Sequence, residues 1–299
     1  MANLLAFQPD ERIAEVLALR DYEVAPYLVL ATSSGLVKKS KLSEFDSSRA
    51  GGIIAINLRE DDEVIAARLV SPEQDLLLVS RHAQSIRFRA NDEALRPMGR
   101  ATSGVIGMRF SNGDQLLGMH VVDADASDVD VLVATGGGYA KRTPASQYPL
   151  QGRGGLGVVT ARIVEARGEL IGALMVRPDD EVFAITSGGG VIRTAAAEVK
   201  QSGRQTMGVR LVNLTGGQTL VAIARNAEIA DPEAELTDSE AELEGEAEAE
   251  LEGGLDAGSA EADNGDGAGP EIEDSVAGDD DDDGGDETVD GDDQEDDVE

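Results

Sequence analysis

The stretch Y-L-V-L-A-T-S-S-G-L-V-K-K-S, from Tyr27 to Ser40, decides the architecture, because the chain writes it four times. Its ungapped counterparts are L-L-L-V-S-R-H-A-Q-S-I-R-F-R from Leu76, D-V-L-V-A-T-G-G-G-Y-A-K-R-T from Asp130 and V-F-A-I-T-S-G-G-G-V-I-R-T-A from Val182. The starts lie 49, 54 and 52 residues apart, a period that suits a propeller blade or a similar four-stranded unit. Each copy opens on a short apolar run, turns, and returns through a run that holds a basic residue. The turns Ser33-Ser34-Gly35, Gly136-Gly137-Gly138 and Gly188-Gly189-Gly190 carry glycine, which supplies the positive φ that hairpins require. The second copy has His82-Ala83-Gln84 there, a poorer turn.

A second signature follows about ten to twelve residues later. It reads Arg49-Ala50-Gly51-Gly52-Ile53, Gly99-Arg100 then Gly104-Val105, Gly152-Arg153 then Gly157-Val158, and Gly203-Arg204 then Gly208-Val209. The first copy is one residue shorter between its arginine and its last glycine. Another strand comes next, and a final one closes each unit over 64–70, 116–122, 170–176 and 220–224. Four strands per unit with turn signals between them predict an all-β, propeller-like repeat domain, a β-pinwheel of about four and a half blades. Ile13 to Leu19 is read as strand, because Asn3-Leu4-Leu5 and Asp10-Glu11-Arg12-Ile13 roughly match Asn57-Leu58 and Asp62-Glu63-Val64. The expected divisions are 1–22, the second half of an incomplete blade; 23–227, four blades; and 228–299, a disordered acidic tail. The missing first half of the leading unit points to a fragment of a longer polypeptide or a misplaced start.

Charge supports that division. The net charge of -34 is held almost entirely by the last 72 residues, where 33 Asp and Glu meet no Lys or Arg. The other 26 acids face all 25 bases, so the body is nearly neutral. The tail lacks aromatics, contains Asp279 to Asp283 as an unbroken run, and cannot bury enough apolar surface to fold. It is either a solvating tail or a DNA mimic that competes for basic surface. With no cysteine, thiolate metal sites and disulfides are excluded, and His82 and His120 alone make a histidine metal site implausible. No secretory signal or membrane-length apolar run is found, so a cytoplasmic, nucleoid-associated protein without membrane contact is expected.

Stacking the units exposes two basic columns. The first is Lys38, Arg87, Lys141, Arg193, with Lys39, Lys41, Arg89 and Arg142 beside it; the second is Arg49, Arg100, Arg153, Arg204. A lone strand-face cation is ordinarily edge protection. Four of four at two positions suggests cations repeated along one rim, where several DNA phosphates can be neutralised together and the cost of bending the duplex offset. Glycines beside each arginine would leave backbone N–H groups for phosphate oxygens.

The segment Gln151-Gly152-Arg153-Gly154-Gly155-Leu156-Gly157 resembles the heptad Q-R-R-G-G-K-G, and Gly35 to Ser40 and Arg96 to Val105 agree with the same family. The chain from 1 to 227 therefore resembles the C-terminal, DNA-wrapping domain of the A protein of bacterial DNA gyrase, a type IIA topoisomerase, in its actinobacterial form. The resemblance implies a β-pinwheel whose blades exchange strands. It also implies non-specific wrapping of double-stranded DNA in support of ATP-dependent negative supercoiling, and partners in the rest of gyrase A and in gyrase B. ATP and Mg²⁺ would act elsewhere in the enzyme, and no cofactor, metal or catalytic residue is expected here. Gly152 and Leu156 stand where the family has arginine and lysine, which weakens the heptad. The rivals are the equivalent domain of topoisomerase IV and a protein-interaction propeller whose acidic tail binds basic partners.

Other features read blandly. The triple glycines lack a following Gly-Lys-Ser/Thr and helix, so they are hairpin turns. Glu60 to Glu63 and the pair Asp92-Glu93 are solvated turns or loops. Tyr22, Tyr27, Tyr139 and Tyr148 are packing or surface residues.

Overall fold

The computed structural model describes residues 11–49, 52–124 and 126–226. All of them belong to the first of two units, Met1–Ile229 and Ala230–Glu299, so the acidic tail lies outside the described residues.

Each repeat begins with a hairpin: β1 (Tyr27–Thr32) with β2 (Leu36–Lys41), then β4 (Asp75–Ser80) with β5 (Gln84–Arg89), β8 (Asp130–Thr135) with β9 (Tyr139–Pro144), and β12 (Glu181–Thr186) with β13 (Val191–Ala195). The closing strands are β3 (Val64–Val70), β7 (Leu116–Val122), β11 (Leu170–Val176) and β15 (Leu220–Arg225). They pair with the first hairpin strand of their own unit, each with a register shift near its start.

In the first three sheets the fourth strand comes from the next unit. The two-residue strands β6 (Val105–Ile106), β10 (Val158–Val159) and β14 (Val209–Arg210) pair with β2, β5 and β9. The sheet orders are therefore β3-β1-β2-β6, β10-β5-β4-β7, β11-β8-β9-β14 and, with three strands, β13-β12-β15. Strands β3, β7, β11 and β15 lie against one another in that order, which gathers them toward a common centre. The donated strands consequently mark the opposite, outer edge of each sheet.

Continuous apolar runs follow from sheets buried on both faces. Side chains alternate along a strand: Leu76 and Leu78 pack with Val29 and Val37 of the first sheet, whereas Leu77 and Val79 pack with Val131 and Val133 of the third. Leu132 and Ala134 in turn meet Val182 and Ala184. Each such leucine or valine contributes about 1.5–3 kcal/mol by burial. With no tryptophan, aliphatic layers between sheets supply almost all of this core.

The stretch Ile13 to Leu19 forms no strand. Without a hairpin partner among the described residues, its polar backbone has no ladder to join. Leu19, Tyr22 and Ala25 instead cover the outer face of the first sheet, packing on Leu28, Leu30 and Leu42. The matching residues 2–10 lie outside the described ones.

Candidate nucleic-acid interface

Hairpin register decides which cations are equivalent. Tyr27 pairs with Lys41, Asp75 with Arg89, Asp130 with Pro144 and Glu181 with Ala195. Counting back two residues aligns Lys39, Arg87, Arg142 and Arg193; one further aligns Lys38, Ile86, Lys141 and Ile192. The column Lys38, Arg87, Lys141, Arg193 thus mixes two positions one residue apart. Successive strand residues face opposite sides of a sheet, so Lys38 and Lys141 do not share an edge with Arg87 and Arg193.

The corrected column is still basic in every unit, but it holds the protein together. Lys39, fully buried, donates to Asp92 Oδ1 at 2.7 Å and to the Ala90 carbonyl at 2.6 Å, and lies 4.4 Å from the Tyr27 ring centre. Asp92 is therefore an ion-pair partner rather than merely a solvated loop residue. Arg87 binds Asp75 at 2.7 Å and the Ala145 carbonyl at 3.2 Å. Arg142 binds Asp130 at 2.5 Å and the carbonyls of Val199 and Ala197. Arg193 pairs with Glu181. In the first three units the cation reaches into the following unit, so the column staples neighbouring sheets.

The lysines of the alternate position are buried too. Lys38 donates to the Ala55 and Arg100 carbonyls, and Lys141 to the Gly203 and Arg204 carbonyls, the latter at 2.5 Å. Desolvation lowers both ammonium pKa values to about 8. Buried and committed, Lys38, Lys39, Lys141 and Arg142 offer no accessible charge. Lys41 and Arg89, at the strand ends, are exposed, with Arg89 3.6 Å from Asp75.

Three members of the second column, Arg100, Arg153 and Arg204, line up, with an added task. Arg100 donates to the Ile54 carbonyl, Arg153 to Ile106 and Arg204 to Val159. These are the same position in three consecutive units, two residues past the glycines Gly52, Gly104 and Gly157. Each guanidinium grips the outer segment of the preceding unit and so sits on the outer edge. Arg153 also binds the Ala94 carbonyl at 2.7 Å, yet stays exposed. A guanidinium has five N–H donors, so all three retain donors for an anion. Arg49 is exposed as well.

In the heptad, Gly152 faces open space, and Leu156 is 57% exposed. The Gly154 amide is spent on the Gly107 carbonyl at 2.6 Å, so it is not free for phosphate. The Gln151 amide bonds the Arg87 carbonyl, while its buried side-chain oxygen has no hydrogen bond.

Two exposed cations carry no mark in the repeat pattern. The Arg109 amide bonds the Gly155 carbonyl and the Arg162 amide the Thr206 carbonyl, placing them at equivalent points beside the Arg153 and Arg204 loops. Neither side chain has an ion pair or hydrogen bond among the described residues. Counting five residues from Gly104 and Gly157 finds both, but asparagines occupy that position in the outer units, so no four-fold column signals it.

Elsewhere Asp62 caps the Ser33-Ser34 turn through bonds of 2.9 Å to Ser33 Oγ and the Ser34 amide. No group of three or more His, Cys, Asp or Glu suited to a metal occurs among the described residues. Tyr148 is buried with its hydroxyl 2.6 Å from Thr160 Oγ1, and Arg167 stacks 4.0 Å over the Tyr139 ring. No helix among the described residues is long and apolar enough to cross a membrane.

Four blade-like sheets, three of which take an outer strand from the next unit, define a strand-exchanging β-propeller. Residues 26–71, 74–123, 130–177 and 180–226 match the family model for the DNA gyrase C-terminal domain, beta-propeller. The chain belongs to this family. It is 62% identical over 242 residues to a DNA gyrase A protein of Mycolicibacterium smegmatis, covering 81% of this chain and 28% of that one. It is 58% identical over 265 residues to the DNA gyrase A protein of Streptomyces coelicolor, covering 87% and 30%. The chain thus spans about three tenths of the length of these relatives. A solved DNA gyrase A C-terminal domain superposes with a TM-score of 0.66 at 25% identity, over 75% of this chain and 73% of that one. A solved C-terminal domain of DNA topoisomerase IV superposes with a TM-score of 0.69 at 22% identity, over 75% and 69%, a likeness of fold.

Proposed function

We infer that the chain binds duplex DNA without sequence preference along the outer edge of its sheets, as the C-terminal part of a DNA gyrase A protein. The observation that carries this reading is the repeated placement of Arg100, Arg153 and Arg204 by the same carbonyl contact, with exposed Arg109 and Arg162 beside two of them. Recurrent cations on successive sheets present charge along a curve, which suits a bent polyanion. Gyrase is favoured over topoisomerase IV because the relatives at 58–62% identity are gyrase proteins. In that setting the partners are the remainder of gyrase A and the gyrase B protein, in the cytoplasm. The chain would serve ATP-dependent supercoiling performed by the whole enzyme, with no cofactor of its own.

Salt titration of DNA affinity tests the reading. Five rim arginines predict a log–log slope of about -4.5, shallower than the roughly -7 that eight accessible column cations would give. A slope near zero rejects DNA binding. Ligation of nicked circles with and without the protein then reports wrapping through a shifted topoisomer distribution.

A further inference from the structure

We propose that Tyr139, Arg167 and Arg210 form a seat for one phosphate group on the outer edge of the third sheet. On the DNA reading above, on which this assignment rests, the occupant is a backbone phosphodiester. Tyr139 opens β9 and Arg210 ends β14, and the two residues pair directly across the strands. Directly opposed residues share a face of the sheet. Arg210 accordingly donates to the Tyr139 hydroxyl at 3.1 Å, with its guanidinium carbon 5.6 Å from the ring centre. Arg167 arrives from a different segment, the turn before β11. Its carbonyl accepts the Gly137 amide at 2.8 Å. Its guanidinium lies 4.0 Å from the centre of the same ring while donating to the Met207 and Gly208 carbonyls. A Cβ on Gly137 would stand 2.6 Å from the Arg167 carbonyl oxygen, so glycine permits this close approach.

Two guanidinium groups gathered at one ring repel each other, and an anion that both can reach removes that cost. Neither Arg167 nor Arg210 forms an ion pair among the described residues. The Tyr139 hydroxyl registers the unbalanced field: the Arg210 hydrogen bond and charge, and then the Arg167 charge, hold its pKa below the usual phenol range. Donors remain for a ligand. A guanidinium carries five N–H groups. Arg167 spends one nitrogen on carbonyls, and Arg210 meets Asn213 and Tyr139 through its two terminal nitrogens. The Tyr139 oxygen accepts from Arg210, which leaves its own proton to donate. Arg210 is exposed, and Tyr139 and Arg167 are half-buried. Charge-assisted donors converging in this way match the oxygens of a phosphate.

The trio is particular to the third sheet. The corresponding cross-strand pairs of the first two sheets, Leu36 with Ile106 and Gln84 with Val159, hold no charge. There an arginine of the following unit grips the second residue of the donated strand, Arg153 at Ile106 and Arg204 at Val159. In the third sheet that second residue is itself Arg210. Asn213 stands where Arg109 and Arg162 stand in the two units before it, and Arg210 reaches to 3.4 Å from Asn213 Oδ1. Arg210 thus carries the cationic track past a position where the repeat has lost its own cation.

The test joins two measurements on the 299-residue protein: the salt dependence of duplex affinity, and a titration with inorganic phosphate followed through arginine Nε–Hε signals in NMR. One neutralised phosphate adds about 0.9 to the magnitude of the log–log salt slope, beyond the share of the five rim arginines. Arg210→Gln should therefore make the slope shallower by about 0.9. Tyr139→Leu, which removes the ring that gathers both guanidinium groups, should do the same. Adding Asn213→Arg to Arg210→Gln should restore the slope, because a cation returns to the edge at the position that Arg109 and Arg162 hold. A fold damaged by Arg210→Gln would not be rescued in this way. Inorganic phosphate should shift the Arg167 and Arg210 signals together in the wild type. An Arg210→Gln variant that keeps the wild-type slope overturns the seat and leaves DNA binding in place. If the duplex does not bind at all, the DNA reading falls, and phosphate shifts at both arginines uphold the seat alone. Inorganic phosphate that leaves both signals unmoved overturns the seat whatever the duplex does.

Discussion

The guanidinium of Arg142 meets the carboxylate of Asp130 at 2.5 Å inside the third sheet, with both side chains almost fully removed from solvent. Arg142 also satisfies the Val199 and Ala197 carbonyls, and Gln201 donates to Asp130 at 2.9 Å. Removing one partner strands a buried charge, which costs about 3–5 kcal/mol. Arg142→Leu should therefore lower stability by that amount in urea unfolding. The double change with Asp130→Leu should recover much of the loss. A loss in the double variant equal to the sum of the two single losses would mean the pair is not coupled.

Glycine at the strand joint is required by backbone conformation and close approach together. Gly157 has φ of 76° and sits on the Ser85 carbonyl, whereas Gly152, five residues earlier, faces open space. Gly157→Ala should cost about 2 kcal/mol or more. Gly152→Ala should stay within about 0.5 kcal/mol. Thermal melts of the two variants check the contrast.

Acid should weaken the fold through His120. This buried residue of β7 has its pKa lowered from 6.5 to about 4, mainly by desolvation and then by the nearby Arg68 charge. Above pH 6.5 the ring is neutral in folded and unfolded chains, and its contribution is fully present. Between 6.5 and 4 the unfolded chain takes up the proton first, so stability falls as pH falls, by up to about 3 kcal/mol from this group. His120→Leu should flatten the stability profile in that window. An unchanged profile would place the acid sensitivity elsewhere.

Arg109 and Arg162 separate DNA contact from structural stapling. The double change to alanine should leave melting unchanged and make the salt slope of DNA binding shallower by about 2. Deleting residues 228–299 should raise affinity at low salt if the acidic tail competes for the same cations; unchanged affinity would make it a solvating tail.

The repeat, the four strands per unit and the closing strands 64–70, 116–122 and 170–176 are legible from sequence, because alternation, turn chemistry and period agree. The first basic column is not, and the reason lies in two turns. The left-handed residue of the second turn is Ala83, with φ of 62°, and that of the fourth is Gly189. Alanine hides the position in one, and three consecutive glycines blur it in the other, so the ungapped alignment slips by one in both units. A slip of one exchanges the faces of a strand. The burial of the cations was hidden for another reason. Their acceptors are carbonyls of the adjoining unit, 51 to 63 residues away for Lys39 and Lys141, and carbonyls leave no mark in a sequence. The arginines at 100, 153 and 204 could be read because glycines flag their loops.

Strand donation also orders the way the chain is made. The first sheet lacks its outer member until Val105 and Ile106 have left the ribosome, and the second until Val158 and Val159 have. Each of the first three nascent blades thus waits for about half of its successor, keeping one raw edge until the next glycine-led dipeptide arrives to seal it. Slow translation just before residues 105, 158 and 209 would prolong that vulnerable interval.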